Sequence, residues 1–245
     1  MIARNYIFGK KSVGGVNPFE ANMVAYYNIN SNSNDSTINM HNGTDTSISY
    51  ASAGIVNNCA SFGGTSRIVI PQSTDFDFSN VTNDIPFTIS FWLKPNNGMA
   101  LSWVMSKRDA TTAQWQIVTN GGYVDFRVFG TSTSNSLQGR TNDVLVNGVG
   151  NYYTLTYDGS GLASGMIIYT NGLVGSGTSQ VTNGTYTKMP IASQPVVIGA
   201  ENFTGAFLLG FDGGLDEISF HKGVAYTQTQ ALAAYNKLLT GQSLI

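Results

Sequence analysis

Residues 87–94, FTISFWLK, restrict what this chain can fold into more than any other stretch. Phe87, Ile89, Phe91 and Leu93 fall on one side of an extended backbone. Thr88, Ser90, Trp92 and Lys94 fall on the other. Side chains of a strand alternate with a period of two, so the pattern predicts a strand of an antiparallel sheet with one face in a core and one toward solvent. Shorter runs of the same kind recur at 101–107, 115–119, 123–129, 152–157, 166–170, 196–200 and 215–221. Asn-Gly, Asp-Gly and Gly-Gly pairs between them supply the positive φ that hairpin turns need. Upstream, 23–27, 59–62 and 67–70 read as strands too. Many short strands at this spacing predict a sandwich or barrel.

One helix is expected, at the C-terminus. Thr227 and Gln230 have the spacing of a capping box. Ala231, Leu232, Tyr235, Leu238 and Leu239 then make an apolar face at helical spacing, and Gly241 is placed to end it.

Only 11% of residues are charged, against about 25% in ordinary globular chains. Neutral polar residues must therefore carry the surface, which suits strands and turns better than helices. The formal net charge is −2, and lysines and arginines are scattered with no basic stripe, which argues against nucleic acid as a partner. No apolar run approaches the roughly 18 residues of a membrane span. A single cysteine, Cys59, excludes an internal disulfide and is expected as a small buried thiol.

Residues 1–20 read as an arm before a domain over 21–245. Arg4, Lys10 and Lys11 precede the first acid, Glu20, and Gly14, Gly15 and Pro18 break any regular element. Tyr6, Phe8 and Phe19 are apolar anchors. Either the domain's own surface or a neighbouring subunit or shell protein would bury them, and docking on another chain is the favoured expectation. The opening residues carry basic groups but no apolar run behind them, unlike a secretory signal.

Catalytic patterns are absent. There are three glutamates, Glu20, Glu201 and Glu217. Asp216 and Glu217 are adjacent, so a regular strand would send them to opposite faces. His41 and His221 lie near no nucleophile motif, and His221 is expected at a strand end or surface. Two histidines and one cysteine make zinc improbable.

Five stretches carry a resemblance in their order: MVAYYNINSNSNDSTINMHNGT, AGIVNNCASFGGTSRIVIP, PFTISFWLKP, YYTLTYDGSGLASGMIIYTNG and FDGGLDEISFHKGVAYTQTQALAAYNKL. Together they resemble the laminin-G-like branch of the concanavalin-A-like lectin/glucanase superfamily. The resemblance implies an all-β jelly-roll β-sandwich of two antiparallel sheets with one short C-terminal helix, and binding rather than one particular ligand. Glucanases of the superfamily set alternating acids along one strand, which this chain lacks, so no enzyme is expected.

Related folds often hold Ca2+ with loop oxygens. Asp35, Asn39 and Asn42, with Asp216, form the matching set here, and turn capping is the alternative role for them. Sugar is commonly bound by rings and planar polar groups. Trp92, Tyr123 and Phe129, with Asp125 and Arg127, are the candidates, and burial between sheets is their alternative. The favoured function is a lectin-like adhesion component of a bacteriophage virion surface: a capsid decoration, head fibre or tail-associated protein. It would touch other virion proteins through the arm, take a glycan ligand and associate as a homo-oligomer. The alternative is a secreted or cell-surface carbohydrate-binding module of a bacterium.

Overall fold

A computed structural model describes residues 17–203 and 206–245. Its strands, in chain order, are β1 (Met23–Tyr27), β2 (Thr44–Thr46), β3 (Ser49–Ala53), β4 (Asn58–Gly63), β5 (Arg67–Ile70), β6 (Phe87–Pro95), β7 (Ser102–Arg108), β8 (Ala113–Asn120) and β9 (Tyr123–Phe129). There follow β10 (Ser136–Thr141), β11 (Asn151–Tyr157), β12 (Met166–Thr170), β13 (Thr178–Asn183), β14 (Val196–Ile198), β15 (Glu201–Phe203), β16 (Ala206–Leu208), β17 (Asp212–Lys222) and one helix, α1 (Gln228–Leu239).

They build two antiparallel sheets. The larger has eight strands in the order β13-β10-β9-β8-β7-β14-β5-β2. The smaller has seven, in the order β12-β11-β6-β17-β4-β3, with β1 also paired to β17. The long β17 is shared along its length. Residues 212–215 pair with β4, and residues 218–221 pair with β1. Strands β15 and β16 form a separate hairpin.

The main core lies between the sheets. Phe87, Ile89, Phe91 and Leu93 of β6 meet Trp115, Ile117, Val124, Phe126 and Val128 of the larger sheet there. Phe87 stacks on Phe78 with ring centroids 4.0 Å apart and meets the edge of Phe126 at 5.6 Å. Such offset and edge contacts add to the burial itself. This is the jelly-roll sandwich that the resemblance implies, and it settles the choice between sandwich and barrel that the alternating runs left open.

The other side of β6 departs from expectation. The strand is not half-buried: Thr88, Ser90 and Trp92 are buried as well. A second apolar cluster covers the outer face of the smaller sheet, made of Phe19, Tyr26, Val56, Cys59, Trp92, Tyr152, Tyr226, Ala234, Leu238 and Leu244. The helix forms its lid. Thr227 caps it with both bonds of the capping box. Gly241 at φ +76° follows its end and Cα of Leu232 sits where Gly172 leaves room, since a Cβ on that glycine would lie 2.5 Å away. The buried face is Ala231, Ala234 and Leu238, while Leu239, expected inside, is 59% exposed.

Phe19 of the expected arm belongs to this cluster. Phe19 is buried, its carbonyl oxygen lies 3.1 Å from His221 Nε2, and Asn17 Nδ2 donates to the Leu244 carbonyl at 2.7 Å. Arg4, Tyr6, Phe8, Lys10 and Lys11 lie outside the described residues. His221 is fully buried rather than superficial, bonded also to the Tyr226 hydroxyl at 2.8 Å. Burial pushes it down to about 4, with the Phe19 carbonyl opposing.

Candidate binding face

Strand β9 divides its side chains cleanly. Val124, Phe126 and Val128 enter the core. Tyr123, Asp125, Arg127 and Phe129 stand on the outer face of the larger sheet. Register then sets their neighbours. Arg127 lies opposite Gln138 of β10 and Gln116 of β8, and Asp125 opposite Arg140 and Val118.

These neighbours are tied by planar bonds. Arg140 grips Asp125 through Nε and Nη2 at 2.5 and 2.7 Å, the fork geometry that gives arginine–carboxylate pairs their strength. Arg127 Nη2 donates to Gln138 Oε1 at 2.5 Å, and Arg108 Nη1 to Gln116 Oε1 at 2.6 Å. The guanidiniums also lie over rings. Arg140 is 5.4 Å from the centre of Tyr123, and Arg108 and Arg127 are 5.4 and 5.9 Å from that of Phe129, within cation–π range. The β15–β16 hairpin borders the face. Its Phe207 lies 4.0 Å under Arg67, and its Glu201 lies 3.3 Å from Arg108.

Burial pushes the Arg127 guanidinium down, with Arg108 and Arg140 adding to the effect and Asp125 opposing it. Arg140 is pushed up, chiefly by its bond to Asp125. Glu201 is pushed up by burial against the opposing charge of Arg108. The face thus gathers rings, amides and guanidiniums, the groups that recognise sugars and oxyanions; Tyr123, Arg127, Gln138 and Arg140 are partly exposed, while Gln116 and Phe129 are buried.

Of the sugar candidates, Tyr123, Asp125, Arg127 and Phe129 are brought together here. Trp92 is not. It lies on the other sheet, 7% exposed, beneath the helix layer. Its ring fills the space above Gly150, where a Cβ would come within 2.0 Å of Cζ2. Asp125 is present but committed to Arg140. Reasoning from single strands missed Arg67, Arg108, Arg140, Gln116 and Gln138, since only cross-strand register aligns them.

The calcium candidates do not form a cage. Asp35 Oδ1 accepts the backbone N–H groups of Tyr26 and Thr37, and Oδ2 accepts the Thr37 hydroxyl and the His41 N–H, at 2.9 to 3.0 Å. A carboxylate has about four acceptor positions, and these four donors take them. Asn42 Oδ1 accepts the Asp35 N–H, and Asn39 Nδ2 donates to the Val24 carbonyl. Asp216 holds a different loop, accepting from Ile55 and Val56. Among the described residues, no group of three or more His, Cys, Asp or Glu side chains could hold a metal ion. These residues cap turns, the role that Asp and Asn take by bonding nearby backbone.

Residues 62–230 match the family described as the concanavalin A-like lectin/glucanases superfamily. This chain belongs to that superfamily. No curated protein matches it in sequence. Among solved structures, the superfamily member is similar to the binding domain of Paraclostridial Mosquitocidal Protein 1, at TM-score 0.67 and 15% identity over 88% of this chain and 52% of that one. It is similar to domain 4 of AbnA, an extracellular arabinanase from Geobacillus stearothermophilus solved with arabinotriose, at TM-score 0.60 and 21% identity over 87% and 98%. It is also similar to the receptor binding domain of botulinum neurotoxin C/D mosaic serotype, at TM-score 0.62 and 11% identity over 88% and 51%. The chain spans about half the length of the two toxin domains. These likenesses establish the fold.

Within this superfamily member, the glutamates stand apart. Glu201 is on the hairpin beside Arg108, Glu217 is buried behind the smaller sheet, and Glu20 is exposed in the turn before β1. No helix among the described residues is long and apolar enough to cross a membrane.

Proposed function

We propose that this chain is a non-catalytic, lectin-like binding module that takes a glycan on the outer face of its larger sheet. The observation that carries this is the row of planar groups across β8, β9 and β10: Gln116, Arg127 and Gln138, flanked by the rings of Tyr123 and Phe129. Sugars present hydroxyls to amide and guanidinium edges and C–H faces to rings. The domain of the arabinanase, solved with arabinotriose and matched over almost its whole length, supports a carbohydrate ligand. The toxin binding domains support a binding role more broadly. Asp125 is gripped by Arg140 and Glu201 lies beside Arg108, which supports a role without acid–base chemistry. A bacteriophage virion surface is part of the proposal. It rests on the low charge and on the basic segment of Arg4, Lys10 and Lys11, which lies outside the described residues.

Chemical-shift mapping of the labelled chain against a glycan panel tests the site. Amide and side-chain signals of Arg127, Gln116 and Gln138 are expected to move on binding, while the Trp92 indole stays still. Shifts confined to the 33–42 loop or to the helix layer would move the site elsewhere and defeat the proposal.

A further inference from the structure

Every arginine among the described residues, Arg67, Arg108, Arg127 and Arg140, belongs to the outer face of the larger sheet or to its edge beside the hairpin. They are far apart in the chain and are gathered only by strand register. Two carboxylates, Asp125 and Glu201, oppose them, and Asp125 is saturated by Arg140. So the face is positive on a protein whose formal net charge is −2.

The Nε–H groups of Arg67, Arg108 and Arg127 and the indole N–H of Trp103 have no hydrogen-bond partner. Arg108 Nε lies 3.3 Å from Glu201 but without the alignment of a hydrogen bond. Native folds leave few polar groups unpaired; these four are buried donors, and Ser106 Oγ and Gln114 Oε1 of the same sheet are unpaired too. A face with surplus positive charge fits a partner rich in negative charge. Arginine rather than lysine is used, and its planar fork matches oxyanions with two coplanar oxygens.

We propose that the glycan bound on this face is acidic, carrying carboxylate or sulfate groups that pair with Arg108 and Arg127. This inference rests on the glycan reading above and narrows it to a ligand class.

The test uses the full chain in titrations with four glycans, polygalacturonate, dextran sulfate, unmodified dextran and linear arabinan, and with a DNA duplex. At least one acidic polymer is expected to bind tenfold or more tightly than both neutral ones, with affinity falling as salt rises. The acidic polymer that binds tells carboxylate from sulfate. Arg127→Met and Arg108→Met are each expected to weaken that binding at least tenfold, and Lys188→Ala, which removes an equal charge elsewhere, to leave it unchanged. Arg127→Lys keeps charge and stem, so it covers the case in which Arg127→Met unfolds, and it too should bind more weakly. Equal binding to neutral polymers overturns the acidic ligand while leaving the glycan face intact. Acidic binding that the arginine variants do not alter, tighter binding to a DNA duplex than to either acidic polymer, or no binding to any of the four also overturns it. The shift mapping decides the glycan face separately.

Discussion

Asp216 and Glu217 are sequence neighbours in β17, yet both carboxyls lie on the same side of their sheet. Glu217 sits at φ +50° within an irregularity of pairing between residues 216 and 219, and such a bulge re-aims one side chain. Leu215 and Ile218, on either side, both enter the main core. Asp216 accepts from Ile55 and Val56, while Glu217 bonds to the Tyr26 hydroxyl and to Ser243. A regular strand would have separated them.

Both carboxyls are buried, and burial pushes Asp216 up to about 7 and Glu217 to about 8, against opposing backbone and side-chain hydrogen bonds. The folded chain thus holds protons that the unfolded chain releases near pH 4. Their stabilisation is complete at low pH and is lost as pH rises through 7 and 8. His221, pushed down to about 4, acts oppositely, but only below its unfolded value of 6.5. The melting temperature should therefore fall from pH 6.5 to 8.5, by a loss on the order of 2 kcal/mol. Glu217→Gln should flatten that fall. A melting temperature that holds level or climbs across the window would disprove the assignment.

Phe91 and Trp92 face opposite ways but both are buried. Urea unfolding should give a loss of about 3–5 kcal/mol for each change to alanine. A solvent-facing ring at Trp92 would instead cost almost nothing. Gly150→Ala should cost about 1–3 kcal/mol through overpacking, and less in a Trp92→Phe background, because the two sites share one space.

Melting curves in calcium chloride and in chelator should superimpose, because Asp35 already receives four donors. Asp35→Ala should lower stability by at least about 2 kcal/mol in both buffers, since buried backbone N–H groups lose their acceptor. A melting temperature that rises with calcium in the parent protein and not in Asp35→Ala would restore the cation site.

On the helix, Leu238→Ala should cost about 2–5 kcal/mol, and Leu239→Ala within about 0.5 kcal/mol. Thr227→Ala should cost about 1 kcal/mol through the lost cap. Thermal unfolding of the three variants checks the order, and a larger loss at Leu239 than at Leu238 would return the helix to the face expected from spacing.

The alternation of Phe87, Ile89, Phe91 and Leu93 made the strand legible, and Thr227 with Gln230 marked the helix start. Both signals are local. What alternation could not convey is whether the polar side of β6 is covered, because Thr88 and Ser90 look alike under a helix and under water. The bulge at Glu217 was invisible for a similar reason: a left-handed φ on a non-glycine residue is imposed by surrounding contacts. The arginines show the limit most clearly. Residues 67, 108, 127 and 140 read as scattered, and register across six neighbouring strands of the larger sheet, from β5 to β10, sets them on one face. Asp35 and Asp216 each had the right chemistry for a cation, but whether a carboxylate faces N–H groups or open space depends on the loop around it.

Asn17 Nδ2 and Lys237 Nζ both donate to the Leu244 carbonyl, and Phe19 and Leu244 share the cluster behind the smaller sheet. The described chain therefore enters and leaves the sandwich at one point, on the side opposite the arginines. The same closeness means that joining residue 244 to residue 17 by a short peptide, and opening the chain at the Gly121-Gly122 turn, should yield a circular permutant that folds.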